Sequence, residues 1–189
     1  MSMPPMAQMY PHISMGWIPE AVREGAEMLE DFLDADVYVH VQHLFENPQP
    51  LIKALRRYPF TLLHGDYRDA NLAHQDSQQA IAFDWQEATC SLMTIDLAWF
   101  IGGDYVRDGL GEVQAISYYR RRLEEYLNKQ FDDGEWQSMI ELGILFHILR
   151  ITCIDAYLYK HADNPKQKLN FETKLNEYNQ QVRDGIRWL

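Results

Sequence analysis

Basic residues are scarce in this chain, which has 17 Lys and Arg against 28 Asp and Glu among its 189 residues. The formal net charge is −11 at pH 7. Non-specific binding to nucleic acid needs a face rich in Lys and Arg, so we expect no nucleic-acid partner. The excess of acidic groups would suit a cationic substrate, although many cytoplasmic proteins are acidic for other reasons.

Cysteines and long apolar runs are also few. The two cysteines, Cys90 and Cys153, are too few for a disulfide framework. No apolar run approaches the roughly 20 residues that span a bilayer. Residues 1–15 have neither the basic start nor the continuous apolar stretch of a signal peptide. These features predict a soluble, cytoplasmic protein with no membrane partner.

Apolar residues make up 47% of the chain, which is enough for a hydrophobic core in a single domain over residues 1–189. Residues 1–18 are expected to form an irregular lead-in. Apolar spacing and turn residues predict short strands at 60–63, 72–74 and 80–83, the last two forming a hairpin. The same criteria predict helices near 19–34, 47–57, 94–101, 111–129, 134–161 and 166–187.

Residues 36–46 fit two patterns. Val37, Val39 and Val41 alternate with polar residues as in a strand, whereas Val37, Val41, Leu44 and Phe45 lie on one face of a helix. Periodicity alone leaves both open. With either outcome the chain is mainly helical, and its small β segment carries the residues with the most obvious chemistry.

Residues 64–71 form the most informative segment of the chain. It has the pattern H-G-D-x-x-x-x-N, given by His64, Gly65, Asp66 and Asn71, and Asp84 follows thirteen residues later. Phosphoryl transfer needs a carboxylate to orient a hydroxyl, together with an amide oxygen and a second carboxylate to hold Mg²⁺. Protein kinases place these groups in H-R-D-x-x-x-x-N and D-F-G, with the same step from Asp to Asn.

The chain resembles the aminoglycoside phosphotransferase and choline-kinase-like family of small-molecule kinases. The resemblance is dense between residues 62 and 103 and rests on His64-Gly65-Asp66, Asn71-Leu72, Asp84-Trp85 and Asp96-Leu97-Ala98. It implies an α+β, mainly α fold: the C-lobe of a protein-kinase-like fold, with a small β hairpin carrying the catalytic loop. Residues 60–103 would hold the catalytic and metal loops and residues 111–189 a helical subdomain. The resemblance also favours a helix for residues 36–46.

Roles for individual residues follow from the same resemblance. Asp66 would be the catalytic carboxylate, and Asn71 and Asp84 would hold Mg²⁺ with ATP or GTP. Structural support of the catalytic loop is expected from His64, Gly65 and Asp96. Arg68 is a candidate contact for phosphate or substrate, with an ion pair to Asp69 or Glu87 as the alternative.

The acceptor implied by the resemblance is a hydroxyl group of a small molecule. Because the helical subdomain forms the substrate site in this family, tyrosines of residues 111–189 are candidates for its wall: Tyr118, Tyr119, Tyr126, Tyr157 and Tyr159. Core or surface packing is the alternative for each of them. His40 and His43 lie three residues apart, but they lack the further ligands of a zinc site.

The sequence shows no sign of the N-terminal lobe that binds the nucleotide in kinases. Neither G-x-G-x-x-G nor G-x-x-x-x-G-K-[ST] precedes the motif. The resemblance therefore predicts a C-lobe without its N-lobe, weak or inactive alone, which would work with a separate N-lobe or as a homodimer. A non-catalytic kinase-like binding module is one alternative function. A metal-dependent hydrolase that uses Asp66 and Asp84 is another.

Overall fold

A computed structural model describes residues 18–74, 79–102 and 111–189. The described chain is mainly helical, as the sequence predicted, and it has two small antiparallel sheets. The expected lead-in falls almost wholly outside the described residues. The helices are α1 (Ile18–Met28), α2 (Ala35–Glu46), α3 (Gln49–Leu55), α4 (Thr94–Gly102), α5 (Glu112–Leu127), α6 (Asp133–Lys160) and α7 (Pro165–Ile186), with 3-10 turns at Leu29–Asp31, Asp69–Asn71 and Trp85–Glu87.

Residues 36–46 form a helix, which confirms the choice that the resemblance favoured. Val37, Val41, Leu44 and Phe45 are all buried, and they lie on one face of α2. Val39, which a strand would place on the same face as Val37 and Val41, is half exposed. The 3.6-residue period of a helix therefore explains which side chains of this segment are buried, whereas the two-residue period of a strand does not.

Each of the two sheets has two strands. β2 (Leu72–His74) pairs with β3 (Ala80–Ala82) as the predicted hairpin, and the turn expected at residues 75–77 lies outside the described residues. β1 (Phe60–Leu63) was also predicted, but its partner β4 (Thr89–Leu92) was missed. A four-residue strand with the sequence Thr-Cys-Ser-Leu is too short for an alternating pattern to stand out.

The described chain divides into two compact units. The first contains the described residues up to Ala54 together with Leu145–Leu189, and the second contains Leu55–Ile144. The motif residues all belong to the second unit. Among the described helices, none is both long enough and apolar enough to cross a membrane.

The start of α4 is fixed inside the second unit. Leu92, Ile95 and Leu97 are buried around it. Thr94, which is also buried, donates a hydrogen bond from its hydroxyl to the carbonyl of Met139 in α6. Asp96 follows within the first turn of α4, so its position is set by this buried anchor.

Gly25 marks a close approach of two helices in the first unit. A Cβ atom at this position would collide with the backbone carbonyl of Cys153 in α6.

We predict that Gly25→Ala lowers the free energy of unfolding by about 3 kcal/mol, because a helix backbone cannot move aside as a side chain can. Urea unfolding would measure this. Gly111→Ala is the control, since a Cβ there meets no atom within 4 Å; equal effects of the two changes would contradict the close contact.

Candidate active site

The motif segment, residues 64–71, is called the motif loop below. It begins where β1 ends: Leu63 and His64 are each 2% exposed, so the chain leaves the strand in a buried position. It ends with the 3-10 turn Asp69–Asn71, after which β2 begins at Leu72. The loop is therefore held between strands of the two small sheets.

Asp96 braces the start of the motif loop with both of its carboxylate oxygens. The backbone N–H of His64 donates to Oδ2 at 2.7 Å, and the N–H of Gly65 donates to Oδ1 at 3.0 Å. Hydrogen bonds to an ionised acceptor are stronger than neutral ones. The carboxylate thus satisfies two adjacent backbone donors that no strand pairing satisfies.

Two features of the backbone around position 65 require a glycine there. Its φ of +84° lies in the left-handed region, which residues with a side chain rarely adopt. A Cβ atom here would also collide with the backbone carbonyl of Glu87. The 3-10 turn Trp85–Glu87 therefore lies directly against the motif loop at a distance that only glycine allows.

His64 links the motif loop to the residue before Asp84. Its Nε2 donates to the carbonyl of Phe83 at 2.8 Å, and its Nδ1 accepts from the N–H of Asp66 at 3.3 Å. A carbonyl can only accept and a backbone N–H can only donate, so the two bonds together require the neutral Nε2–H tautomer. The ring of Trp85 covers the imidazole, with 4.7 Å between ring centroids.

Trp85 packs on the motif loop although its side chain is half exposed. Its indole N–H donates to the carbonyl of Ala82 at 3.0 Å, and its ring packs on His64.

Asp66 and Asn71 are joined across the motif loop. The side-chain amide of Asn71 donates to the Asp66 backbone carbonyl at 2.9 Å and to Asp66 Oδ2 at 2.8 Å. Both of its N–H bonds are used, so the carbonyl oxygen Oδ1 is the atom left for another partner. Asn71 is buried, whereas the side chain of Asp66 keeps 16% of its surface exposed.

Arg68 pairs with Asp66 rather than with the expected Asp69 or Glu87. Its Nε lies 3.1 Å from Oδ1 and 3.2 Å from Oδ2 of Asp66. The backbone at Arg68 is extended (φ −134°, ψ 163°), and in extended chain side chains two residues apart share a side. The Arg68 side chain is 52% exposed, so the pair sits at the surface of the loop.

Asp84 follows a residue that is tied to the motif loop from two sides. The N–H of Phe83 donates to the carbonyl of Asn71 at 3.1 Å, and its own carbonyl accepts from His64. Asp84 is exposed, and its carboxylate has no hydrogen-bonding partner among the residues that the structure describes. These bonds bring the Asp84 backbone next to the segment that holds Asp66 and Asn71.

The backbone at Asp84 is left-handed, with φ 64° and ψ 56°. Asn128 is the other described residue besides glycine with a positive φ, and it ends helix α5, a usual place for this conformation. Asp84 ends no helix. Strained positions of this kind cost about 1–3 kcal/mol and cluster at functional sites, so the outlier marks Asp84 as a candidate functional residue.

The site has the oxygen atoms that Mg²⁺ prefers. No cluster of three or more His, Cys, Asp or Glu side chains able to hold a metal occurs in the described ranges. A protein cage of that kind is not what Mg²⁺ needs at a nucleotide, because it is usually held by one or two carboxylates plus the phosphates. The free Oδ1 of Asn71 and the unpartnered carboxylate of Asp84 fit that requirement.

The contacts at Phe83 and Glu87 were not anticipated from the sequence. In both residues the backbone makes the contact, and a backbone carbonyl or N–H is the same in every residue. Gly65 was the one hint of these contacts in the sequence. A glycine within a motif indicates that another segment approaches the backbone closely, but it does not identify that segment.

Comparison with known proteins agrees with this loop. Residues 7–142 match the model of the Phosphotransferase enzyme family, APH. The chain belongs to this family, which confirms the resemblance to aminoglycoside phosphotransferases. No curated protein and no solved structure gives a significant match. The family establishes phosphotransfer as the general class of activity.

Asp96→Asn tests the brace directly. An amide keeps one acceptor oxygen but turns an N–H₂ group toward the second donor, so one buried N–H is left without an acceptor. We predict a loss of about 1–3 kcal/mol in the free energy of unfolding. We also expect faster hydrogen exchange at the amides of His64 and Gly65. Asp163→Asn is the control, because Asp163 is an exposed residue outside the motif loop and its supports.

Unchanged exchange at these two amides in Asp96→Asn would contradict the brace, even if the variant were less stable overall.

Proposed function

We propose that this chain is the catalytic lobe of a small-molecule kinase, which transfers the γ-phosphoryl group of ATP or GTP to a hydroxyl of a small molecule. One observation carries the proposal. A continuous set of hydrogen bonds, from Asp96 through the motif loop to Phe83, brings Asp66, Asn71 and the backbone of Asp84 together. The order and spacing of these residues match the needs of phosphoryl transfer.

Asp66 is the proposed catalytic residue. The acceptor hydroxyl oxygen bonds to the γ-phosphorus while the bond from this phosphorus to the β,γ-bridging oxygen breaks. The electron pair of that bond leaves with the nucleoside diphosphate, and the hydroxyl proton passes to the Asp66 carboxylate. Asn71 and Arg68 both hold this carboxylate in place, so its main contribution is to orient the hydroxyl.

Asn71 and Asp84 are the proposed ligands of a nucleotide-bound Mg²⁺, through Asn71 Oδ1 and the Asp84 carboxylate. When bound, the ion would neutralise charge on the phosphate oxygens. The Asn71 amide stays on Asp66 in this arrangement, so one side chain couples the metal ligand to the catalytic carboxylate. The left-handed backbone of Asp84 is the strain expected of a residue fixed for such a task.

Arg68 is the proposed phosphate contact. Its guanidinium uses Nε on Asp66, and its side chain is half exposed, so its terminal nitrogens are available to an anion beside that carboxylate. We propose that it draws the transferred phosphoryl group toward the acceptor hydroxyl. The pairing with Asp66 keeps the guanidinium at the loop before substrate arrives.

A kinase-like C-lobe is the architecture that we propose for these elements. The strand–loop–hairpin order from β1 to β3, followed by a helix that carries Asp96, supports it. The low turnover expected of this chain by itself stays a prediction, and so does its pairing with a separate N-lobe or with a second copy. The single-domain organisation and the cytoplasmic location also stay predictions.

Asp66→Asn and Asp84→Asn test the proposal. We predict that each lowers Mg²⁺-dependent phosphoryl transfer by about 10²–10⁴-fold, because one removes the carboxylate that orients the hydroxyl and the other removes a metal ligand. The assay measures transfer from γ-labelled ATP to kanamycin, choline, glycerol and naphthylethanol, together with ADP formation. The control is Asp163→Asn, an exposed residue of the first unit that we expect to leave the rate unchanged.

Turnover that survives both substitutions would contradict the proposed roles. ADP formation without transfer to any alcohol, still dependent on Asp66 and Asp84, would favour hydrolysis over the kinase reaction.

A further inference from the structure

A cleft of about 860 Å³ opens in the second unit beside the motif loop. Its volume lies in the range typical of small-molecule sites, about 300–1,000 Å³. The walls come from β1, α4 and α5, and most of the side chains on them are aliphatic or aromatic. They include six large apolar or aromatic side chains: Phe60, Leu62, Tyr67, Phe100, Tyr118 and Tyr119.

The cleft reaches the proposed catalytic residue through Tyr67. This residue follows Asp66 directly, and its ring lies 5.9 Å from the His64 ring and 6.0 Å from the Phe100 ring, centroid to centroid. Asp96, the brace of the motif loop, also lines the cleft. A molecule held there would therefore lie next to the segment that carries Asp66.

Few of the described residues on the walls of the cleft are charged. Among the described residues that line the cleft, Asp96 is the one carboxylate and Lys129 the one cation. Both oxygens of Asp96 already accept backbone N–H bonds of the motif loop. Lys129 pairs with Glu135 at 3.2 Å and lies over the Phe131 ring. Neither charge is left to bind an ion of opposite sign.

The hydroxyls of Tyr67 and Tyr119 in the cleft are neutral at physiological pH. Burial, and then the charge of Asp96, raises the pKa of Tyr119 to about 12. The same two causes raise the pKa of Tyr67. The Tyr119 hydroxyl donates to the carbonyl of Met93 at 3.3 Å. The described lining of the cleft thus offers neutral polar groups and apolar surface, and its one carboxylate, Asp96, already accepts two backbone hydrogen bonds.

Large apolar side chains on the rim remain exposed. Leu62 is 63% exposed and Tyr118 is 55% exposed, and Phe60 lies close to half exposure. Contiguous exposed apolar surface in a concave site usually marks a place where a ligand binds. The position beside Tyr67 and the size of the cleft favour a small molecule as the occupant.

We propose that this cleft binds the body of the acceptor, and that the acceptor is an uncharged alcohol with an apolar or aromatic body. The proposal rests on the proposed kinase function, and it differs from the cationic substrate that the net charge of −11 suggested. Among the described acidic residues only Asp96 lines the cleft, so the net charge is a poor guide to what this lining binds.

Ligand binding tests the cleft independently of phosphoryl transfer. Naphthylethanol, a neutral aromatic alcohol, and choline, a cationic one, are each titrated into the full chain without nucleotide, and saturation-transfer NMR reports binding. We expect naphthylethanol to bind and choline not to compete with it. We expect Leu62→Glu to weaken the binding of naphthylethanol about tenfold or more, since it places a charge against the apolar ligand.

Val113→Glu is the matched control. Val113 lies on α5, is 77% exposed and does not line the cleft, so the same change there should leave binding intact. Tyr118→Ala is a second cleft variant, in case Leu62→Glu does not fold.

Three results would overturn the proposal. One is binding that Leu62→Glu and Val113→Glu affect equally, and another is displacement of naphthylethanol by choline. The third is a dimer, seen by sedimentation, that Leu62→Glu dissociates while naphthylethanol fails to bind; the cleft would then be an interface between two copies.

Activity separates this proposal from the proposed function. Transfer from Mg·ATP to choline but not to naphthylethanol, lost in Asp66→Asn, would sustain the kinase and overturn the apolar acceptor. Naphthylethanol binding in the cleft, with whatever phosphoryl transfer occurs left unchanged by Asp66→Asn and Asp84→Asn, would support the cleft and count against the kinase.

Discussion

The two hydrogen bonds that the Asp96 carboxylate accepts from His64 and Gly65 are the interaction on which the site depends. They fix the point where the chain leaves β1, and with it the left-handed turn of Gly65. The imidazole of His64 then reaches Phe83, and Phe83 reaches Asn71. One partly buried carboxylate therefore determines where the proposed catalytic carboxylate and the proposed metal ligands lie relative to each other.

The sequence was sufficient to predict most of the fold. The strands at 60–63 and 72–74 and the helices after residue 93 have strong periodicity or turn residues at their ends, and the structure has them within a few residues. β4 was missed because four residues carry too little pattern. The contact of Glu87 with Gly65 was missed because it is made by the backbone, and the pairing of Arg68 with Asp66 because it depends on one extended residue.

Net charge and local charge lead to different expectations for this chain. The formal charge of −11 suggested a cationic substrate, whereas the described residues that line the cleft beside the motif loop include one carboxylate and one cation. A charge summed over a whole chain reports on solubility and long-range attraction, and specificity is decided by the groups that touch the ligand. Asp96 illustrates the difference, because its carboxylate oxygens accept hydrogen bonds from the backbone of the motif loop.

Paramagnetic broadening tests the central claim, that the Asp96-braced loop and Asp84 form one metal–nucleotide site. Mn²⁺ replaces Mg²⁺ and is titrated with a non-hydrolysable ATP analogue into the isotopically labelled chain. The account predicts that the side-chain amide of Asn71 and the backbone amide of Asp84 broaden together at the lowest Mn²⁺ concentrations, before residues near the exposed carboxylate of Asp133. Broadening near exposed acidic residues such as Asp133, with Asn71 and Asp84 unaffected, would contradict it.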